Sequence, residues 1–133
     1  MSDQVMRGLL QTRLLSLGWA AQTVFEKRSF TPTPGVPYQE ATTVFSEAEA
    51  ITLAGSDHGR GVFQVRLMYP LLPAEGIGEA WARAEEIRAL FPRNLKILGG
   101  GATVKIMRKP VITRGTPQGD RDVTIIRVRF SDR

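Results

Sequence analysis

Gly61-Val-Phe-Gln-Val-Arg-Leu-Met-Tyr-Pro70 has the clearest secondary-structure pattern in the chain. Every second residue there is apolar, and this period of two is typical of a half-buried strand. The apolar set is Phe63, Val65, Leu67 and Tyr69, and the alternating set is Gln64, Arg66 and Met68. Pro70 interrupts the pattern because proline cannot donate a ladder hydrogen bond. We therefore predict a strand with one face in the core.

A helix is predicted downstream, between Pro73 and Pro92. Its apolar residues recur at helical spacing: Ile77, Ala80, Trp81, Ala84, Ile87 and Phe91. The opposite face is charged: Glu79, Arg83, Glu85, Glu86 and Arg88. Acidic residues at the start, basic residues near the end and a terminating proline all favour this helix. Its apolar face needs a sheet to cover it.

The remaining pattern predicts one further helix and four further strands. The helix is predicted over Val5 to Leu17, with Gly18 at its end. The strands are predicted over Thr23 to Arg28, within 38–53, over Thr103 to Arg108 and over Val123 to Phe130. A turn at Gly99-Gly-Gly101 leads into the third of them. Within 38–53 a helix is the alternative, since Ser46-Glu-Ala-Glu49 has capping-box spacing. This order of elements predicts a single α+β domain over 1–133, in which a mixed, mainly antiparallel sheet packs against two amphipathic helices. Flexible loops are predicted near 30–38, 54–60 and 109–122.

Composition restricts the class of protein. The chain has 133 residues and 42% hydrophobic content, which suits one compact domain. Cysteine is absent, so disulfides and thiolate metal sites are excluded. Asp3, Arg7 and Arg13 interrupt the N-terminal apolar residues, so we expect neither a signal peptide nor a membrane span. The expectation is a soluble protein made in a cytoplasm, with no membrane partner.

Charge is distributed unevenly along the chain. Residues 1–92 hold 8 Lys/Arg against 10 Asp/Glu, whereas residues 93–133 hold 10 against 3. The last third is therefore +7 within a total of +5. Such asymmetry indicates a surface that faces an anionic partner, either nucleic acid or an acidic protein surface.

Candidate catalytic and ligand sites are weak. His58 is the only histidine, the residue type whose unperturbed pKa lies near neutrality. Ser56-Asp57-His58 are neighbours in sequence, but the partners of a catalytic triad are brought together by the fold, so this run is weak evidence of a hydrolase. Gly99-Gly-Gly101 lacks a phosphate-binding fingerprint, and Asp57, Asp120 and Asp122 match no calcium loop. We expect a solvated loop around His58, a turn at Gly99-Gly-Gly101 and no specific metal site at the aspartates. The prediction is no enzyme, no cofactor and no small-molecule substrate.

The two tryptophans are expected in the core, and the basic residues of the last third are expected on a surface. Trp19 and Trp81 are expected to anchor the core instead of stacking on bases. Arg127 and Arg129 share one strand face and would join Lys105, Arg108 and Lys109 in a basic patch if their strands are neighbours; the alternative is a merely solvated face. The candidate interface residues are Arg60, Lys105, Arg108, Lys109, Arg114, Arg127 and Arg129.

Three fragments, read in order, resemble the phage tail terminator-like family encoded among phage and prophage tail genes. They are Phe30-Thr-Pro with Pro37-Tyr38, Gly61-Val-Phe-Gln-Val65 running to Pro70, and Phe91-Pro-Arg93 followed by Gly100-Gly-Ala-Thr-Val104. The motif residues are Phe30, Pro32, Pro37, Tyr38, Gly61, Phe63, Gln64, Val65, Phe91, Pro92 and Arg93. The resemblance spans roughly Leu9 to Pro110. An acidic Ser46–Ala50 stretch and the basic end after Arg108 depart from the family pattern.

The resemblance implies a structural role in the virion tail after assembly in the host bacterial cytoplasm. Members of the family form a hexameric ring on the tail tube, stop its polymerisation and prepare head–tail joining. The implied partners are further copies of the chain, the tail tube protein and the head-side connector protein. We expect loops that order against neighbours, and a basic end that meets an acidic surface on the tube, on the connector or on the Ser46–Ala50 stretch of an adjacent copy.

Three alternatives remain at this point. The protein could be a head–tail connector component or minor tail protein of the same setting. It could be a small basic nucleic-acid-binding module that uses Lys105, Arg108, Lys109, Arg127 and Arg129 on phosphates. It could be an enzyme with an unrecognised pocket, for which only Asp57 and His58 are available.

Overall fold

The computed structural model describes residues 3–19, 22–25, 36–45, 49–50, 57–58, 60–70, 75–114, 117, 119 and 121–131. Within those ranges the chain forms two helices and nine strands. In chain order they are α1 (Asp3–Leu15), β1 (Thr23–Phe25), β2 (Tyr38–Phe45), β3 (Glu49–Ala50), β4 (Asp57–His58), β5 (Arg60–Pro70), α2 (Glu75–Leu90), β6 (Lys96–Gly99), β7 (Ala102–Ile106), β8 (Val111–Arg114) and β9 (Arg121–Ser131).

Seven of these strands form one curled sheet in the order β1-β2-β5-β9-β7-β6, with β8 pairing β9 beside β7. The pairs are antiparallel except for β1 and β2, which run parallel. The predicted α+β class, with a mixed, mainly antiparallel sheet and two helices, is therefore confirmed. The strands β3 and β4 pair with each other in a separate two-stranded sheet, which we call the β3–β4 ribbon.

The strand β5 lies in the middle of the large sheet and has the alternation predicted for it. Phe63, Val65 and Leu67 are fully buried, whereas Gln64 and Arg66 are half-buried. Directly opposed residues of antiparallel strands project to the same side. The sheet consequently has an inner face, on which Phe63 lies beside Val128 of β9, and an outer face with Gln64.

Both helices cover the inner face. Met6, Leu10 and Leu14, four residues apart on α1, are buried, and so are Ala84, Ile87 and Phe91 in and after α2. The Phe91 ring centre lies 5.8 Å from that of Phe63. The two helices also contact each other, because Arg13 Nε donates to the Leu90 carbonyl oxygen at 2.6 Å.

The prediction that both tryptophans anchor the core is wrong for Trp81. Trp81 is 47% exposed, whereas Ala80, its neighbour, is buried. Successive helical residues are turned by about 100°, so the face centred on Ala80, Ala84 and Ile87 leaves Trp81 at its margin. Trp19 is half-buried and packs against the core. Arg83, assigned to the charged face, is in fact buried.

Two predicted loops contain strands. Val111–Arg114, inside the predicted loop 109–122, forms β8 on the edge of β9, and β9 begins at Arg121 within the same range. Asp57–His58, inside the loop 54–60, forms β4, and Arg60 begins β5. Strands of two and four residues are too short to show a periodicity, and pairing with a neighbouring strand selects their conformation.

The other element boundaries follow the sequence closely. The helix predicted over Val5–Leu17 spans Asp3–Leu15, continues as turns and ends at Gly18, which has a φ of 93°. The strand predicted to begin at Thr23 is observed as Thr23–Phe25, and residues 26–35 lie outside the described residues. The segment 38–53 forms the favoured strand over Tyr38–Phe45, with 46–48 and 51–53 outside the described residues.

The strand predicted at Thr103–Arg108 is observed as Ala102–Ile106, and it is the second strand of a hairpin. Its first strand, Lys96–Gly99, was not predicted. Gly100 and Gly101 connect the two strands with φ values of 56° and 80°. A two-residue hairpin turn with two positive φ values favours glycine, so the predicted turn at Gly99-Gly-Gly101 is confirmed.

Candidate functional site

The outer face of the sheet gathers basic residues from three strands. In the register, Lys105 of β7 lies opposite Ser131 of β9, and Ser131 lies opposite Arg60 of β5. Two residues further along the same pair of strands, Arg129 lies opposite Val62. Since opposed residues share a face, Lys105, Arg60 and Arg129 project outward together. The condition set for the basic patch, that its strands are neighbours, is fulfilled.

Most of these cations have no acidic partner. Arg60, Arg108, Arg127 and Arg129 are exposed, and none forms an ion pair within the described ranges. Arg66, further along the outer face, does have one: its Nη1 lies 3.2 Å from Glu40 Oε2. Unpaired charges of one sign repel each other and produce a positive potential that attracts anionic surfaces. The end of the outer face that carries Arg60 therefore has an excess of positive charge among the described residues.

Three of the arginines surround a cleft of about 250 Å³, which we call the arginine cleft. Arg60, Arg108 and Arg129 line it, and the other lining residues are Gly61, Val62, Met107 and Phe130. Glycine is required at position 61, because a Cβ there would lie 2.5 Å from the Val44 carbonyl oxygen and 2.8 Å from Phe130 Cζ. A cleft lined by several arginines suits a carboxylate or phosphate oxygen.

Exposed apolar side chains flank the cations. Val44 is 60% exposed, Val111 is 57% exposed and Met107 is 43% exposed. Val44 pairs with Val62 in the register, and Val111 pairs with Arg127. Mixed apolar and arginine surfaces are typical of protein interfaces, in which arginine is enriched relative to lysine. This end of the outer face therefore has the composition of a protein-binding surface.

The other end of the outer face is closed by a small second core. Tyr38, Met68 and Val123 are buried there. Arg121 is also buried: its Nη1 donates to the Val36 carbonyl oxygen at 2.7 Å, and its guanidinium carbon lies 4.9 Å from the centre of the Tyr38 ring. This arginine therefore has a structural role and does not belong to the exposed basic surface.

Two residues of the candidate interface set lie apart from the arginine cleft. Arg114 forms an ion pair with the buried Asp122, with Nη2 3.2 Å from Oδ1, near the closed end of β9. Lys109 is exposed but lines a different hollow, beside Arg93 and the C-terminal turn of α2. The structure brings together Arg60, Arg108, Arg127 and Arg129, with Lys105 half-buried on the same face.

Sequence reasoning missed a buried cation on the inner side of the molecule. The Arg83 guanidinium carbon lies 4.4 Å from the centre of the Trp19 ring, and its Nη1 donates to the Leu17 carbonyl oxygen at 3.2 Å. Trp19 also contacts Tyr69, with ring centres 5.8 Å apart and ring planes tilted by 44°. Burial lowers the pKa of Arg83 and raises the pKa of Tyr69 to about 12. These shifts come from packing between α1, α2 and β5.

The described residues contain no cluster of metal ligands. No group of three or more His, Asp or Glu side chains within them could hold a metal ion. Asp57 and His58 have strand backbone in β4 and pair with Ala50 and Glu49. No helix in the described part of the chain is long and apolar enough to cross a bilayer.

The family-motif residues mostly build the fold. Phe63, Val65 and Phe91 are fully buried, and Tyr38 belongs to the second core. The Pro37 carbonyl oxygen accepts from Gln22 Nε2, and that of Pro92 accepts from the Leu95 N–H. Gln64 and Arg93 instead reach the surface. Phe30 and Pro32 lie outside the described residues.

Comparison with known proteins supports the resemblance. The chain matches the family of phage tail terminator proteins over residues 6–130. A chain of known structure is similar to it, with a TM-score of 0.74, 26% identity, and coverage of 100% of this chain and 96% of the other. Comparison with curated proteins finds no match. Because the family match extends over nearly the whole sequence, the chain belongs to the phage tail terminator protein family, a family of structural proteins of the virion tail.

Proposed function

We propose that this protein caps the tail tube of a long-tailed phage as a ring, that the cap ends polymerisation of the tube, and that it prepares the tube end for head–tail joining. Its partners in this role are further copies of the chain, the tail tube protein and a head-side connector protein. The role is structural and involves no catalytic step, and hexameric assembly is part of the proposal.

The observation that carries this proposal is the family match over residues 6–130, combined with an exposed surface suited to protein binding. The sheet and its two helices share one hydrophobic core. The outer face adds Arg60, Arg108, Arg127 and Arg129, which have no acidic partner among the described residues, beside exposed Val44 and Val111. A ring requires copies to join through two different surfaces, since contacts between identical patches close as dimers.

Deletion of the gene from its phage or prophage tests the proposal. Electron microscopy of tails from the deleted phage should show tubes of uncontrolled, greater length that are not joined to heads, and the gene supplied in trans should restore the normal length. Tubes of normal length without heads would instead indicate the alternative role of a head–tail connector or minor tail protein. Normal infectious particles would contradict both roles.

The unpaired arginines also favour a second candidate of a different class, a nucleic-acid-binding module. Phosphate contacts by several arginines produce affinity that falls steeply with salt. Titration of labelled duplex DNA at about 50 mM and 200 mM salt separates the two functions. Tight binding with a steep salt slope favours the module, and no binding at the lower salt excludes it.

A further inference from the structure

We infer that the arginine cleft of one copy contacts the exposed side of α2 on the next copy, and that this pair of surfaces forms the head-to-tail contact of the ring. We call the second surface the α2 surface and define it by its exposed residues, Glu79, Trp81, Ala82, Glu86 and Ala89. The inference rests on the proposed ring and specifies its interface. The occupant is a second copy of this chain, and the main chemistry is carboxylate recognised by guanidinium.

The cleft supplies cations that lack a counter-charge. Arg60, Arg108 and Arg129 line one hollow, and they form no ion pair in the part of the chain that the structure describes. Guanidinium groups that share a hollow repel each other, so an anionic occupant lowers the electrostatic free energy of the cleft. Met107, in the same hollow, is 43% exposed and adds apolar area that a partner can cover.

The α2 surface supplies the matching charge. The helix contains four glutamates against two arginines, and one of these arginines, Arg83, is buried. Glu79 is exposed and forms no ion pair among the described residues. The Glu86 carboxylate lies 3.6 Å from the Arg83 guanidinium group, but its side chain is still 59% exposed. Residues seven apart project from the same side of a helix, so both carboxylates reach the surface on one side of α2.

Apolar side chains accompany the charges on both surfaces. Trp81 is 47% exposed on α2, and tryptophan is among the residues that contribute most to the affinity of protein interfaces. On the other surface Val44, which is 60% exposed, pairs with Val62 in the wall of the arginine cleft. Contact between the two surfaces therefore removes apolar area from water as well as pairing opposite charges.

The two surfaces lie on opposite sides of the sheet. Ala84 and Ile87 of α2 pack on the inner face, under β5 and β9, so the exposed side of the helix points away from the sheet. Arg60 and Arg129 project from the outer face of the same two strands. Surfaces that point in opposite directions cannot contact each other within one copy. Between identical chains they give heterologous contacts, which close into a ring when the rotation allows.

A reciprocal charge exchange tests this contact. The cleft variant carries Arg108→Glu with Arg129→Glu, and the α2 variant carries Glu79→Lys with Ala82→Lys. A third chain carries all four changes. Glu86 is left unchanged because its carboxylate lies beside the buried Arg83.

Each variant has a matched control that makes the same change in net charge at exposed residues outside the two surfaces. For the cleft variant it is Arg93→Glu with Lys96→Glu. For the α2 variant it is the combination of Gln4→Lys, Thr12→Lys and Ser16→Lys on the exposed side of α1. Loss of assembly in a variant but not in its control separates the contact from an effect of net charge.

Ring formation is measured by native mass spectrometry of the concentrated protein and by electron microscopy on tail tubes from the deleted phage. The cleft variant and the α2 variant alone should each form rings at least about 10-fold less than the unchanged chain, because like charges then face each other. An equimolar mixture should recover rings, since every cleft in a ring of alternating variants meets an α2 surface of opposite charge. Recovery also shows that both variants are folded. The four-change chain should assemble alone.

Cross-linking tests the same contact without a change of charge. The chain has no cysteine, so an introduced pair of thiols is unique. Ala82→Cys with Met107→Cys places one thiol on the α2 surface and one in the cleft, and a bismaleimide should link the assembled copies into a ladder of multimers. Thr12→Cys with Met107→Cys is the control and should give no ladder.

The inference is overturned if neither the mixture nor the four-change chain recovers rings, if either two-residue variant forms rings at normal yield, or if rings of the Ala82→Cys, Met107→Cys chain give no ladder. Loss of duplex DNA binding in the cleft variant, without recovery in the mixture, would assign the cleft to nucleic acid and also overturn it. Failure of the proposed function gives a different result. If the unchanged chain forms rings through this contact but leaves tube length unaffected, the function is wrong and the contact stands.

Discussion

Arg127 of β9 lies directly opposite Gln64 of β5, and its Nε donates to Gln64 Oε1 at 3.2 Å. Gln64 belongs to the family motif, and Arg127 belongs to the candidate interface set. The hydrogen bond holds the guanidinium group over the outer face, on which Arg129 projects two residues further along the strand. A motif residue thereby positions a candidate interface residue, and both side chains reach the surface.

Replacement of this glutamine should weaken capping without weakening the fold. Gln64→Leu removes the acceptor, so Arg127 regains rotamer freedom that a bound partner must restrict again. The apparent affinity for tube ends should fall by roughly 3-fold, measured by co-sedimentation with tail tubes, and the free energy of unfolding should change by less than about 0.5 kcal/mol. Gln4→Leu, on the exposed side of α1, is the control. A large loss of stability would assign Gln64 to the fold instead.

Charge reversal of the outer face should abolish capping. Arg127→Glu with Arg129→Glu changes the charge of this surface by four units at two exposed positions, and the circular dichroism spectrum should remain that of the unchanged protein. Because screening weakens such contacts, added salt should also reduce capping by the unchanged chain. Normal tail lengths and infectivity in the double variant would remove both arginines from the interface.

Gly61 should tolerate no side chain. Gly61→Ala places a Cβ 2.5 Å from the Val44 carbonyl oxygen and 2.8 Å from Phe130 Cζ. Because strand backbone cannot move freely, we expect destabilisation of about 1–3 kcal/mol in chemical denaturation. The matched change Gly78→Ala on α2, where nothing lies within 4 Å, should stabilise by up to about 1 kcal/mol. Equal effects at both sites would contradict the packing described for β5.

Tyr69 should make stability depend on alkaline pH. Burial raises its pKa from 10.0 to about 12. Between these values the unfolded chain loses the phenolic proton and the folded chain retains it, so stability is full below pH 10 and is lost as pH rises to about 12. The loss amounts to about 2–3 kcal/mol. Tyr69→Phe should remove this component of the alkaline loss, and the absorbance titration of the unchanged protein should contain a late-ionising tyrosine that this variant lacks.

The two tryptophans should differ in stability and in solvent contact. Trp81→Ser should change the free energy of unfolding by less than about 0.5 kcal/mol, since the side chain is 47% exposed. Trp19→Ser should cost more than about 2 kcal/mol, because it removes the ring that packs against Tyr69 and lies under the Arg83 guanidinium group. Acrylamide should quench Trp81 fluorescence more strongly in the corresponding single-tryptophan variants. Equal quenching would contradict their different burial.

The sequence predicts those parts of the fold in which local pattern and burial agree. The alternation around Phe63 and the helical spacing from Ala80 to Phe91 each identify an element, because one face of each packs against the core. The pattern does not identify β6 or β8, since these short strands are selected by their pairing partners. The burial of Arg83 also escapes prediction, because its cover comes from Trp19, distant in the chain.

The candidate site follows a similar rule. Clustering of cations after Arg93 predicts a basic surface, and alternation along β9 predicts that Arg127 and Arg129 share a face. Only the register shows that Arg60, far away in sequence, lies in the same cluster. Only the tertiary structure shows that the buried Asp122 neutralises Arg114. Long-range pairing thus decides which cations remain unpaired.

Cryo-electron microscopy of the head-proximal end of the intact phage tail tests the central proposal most directly. The account predicts one closed ring of this chain on the last ring of the tube, with the exposed arginines of the outer face, Arg127 and Arg129 among them, covered by a neighbouring protein chain. A tube end occupied by a different protein, with this chain absent from it or found only at the distal tip, would contradict the account.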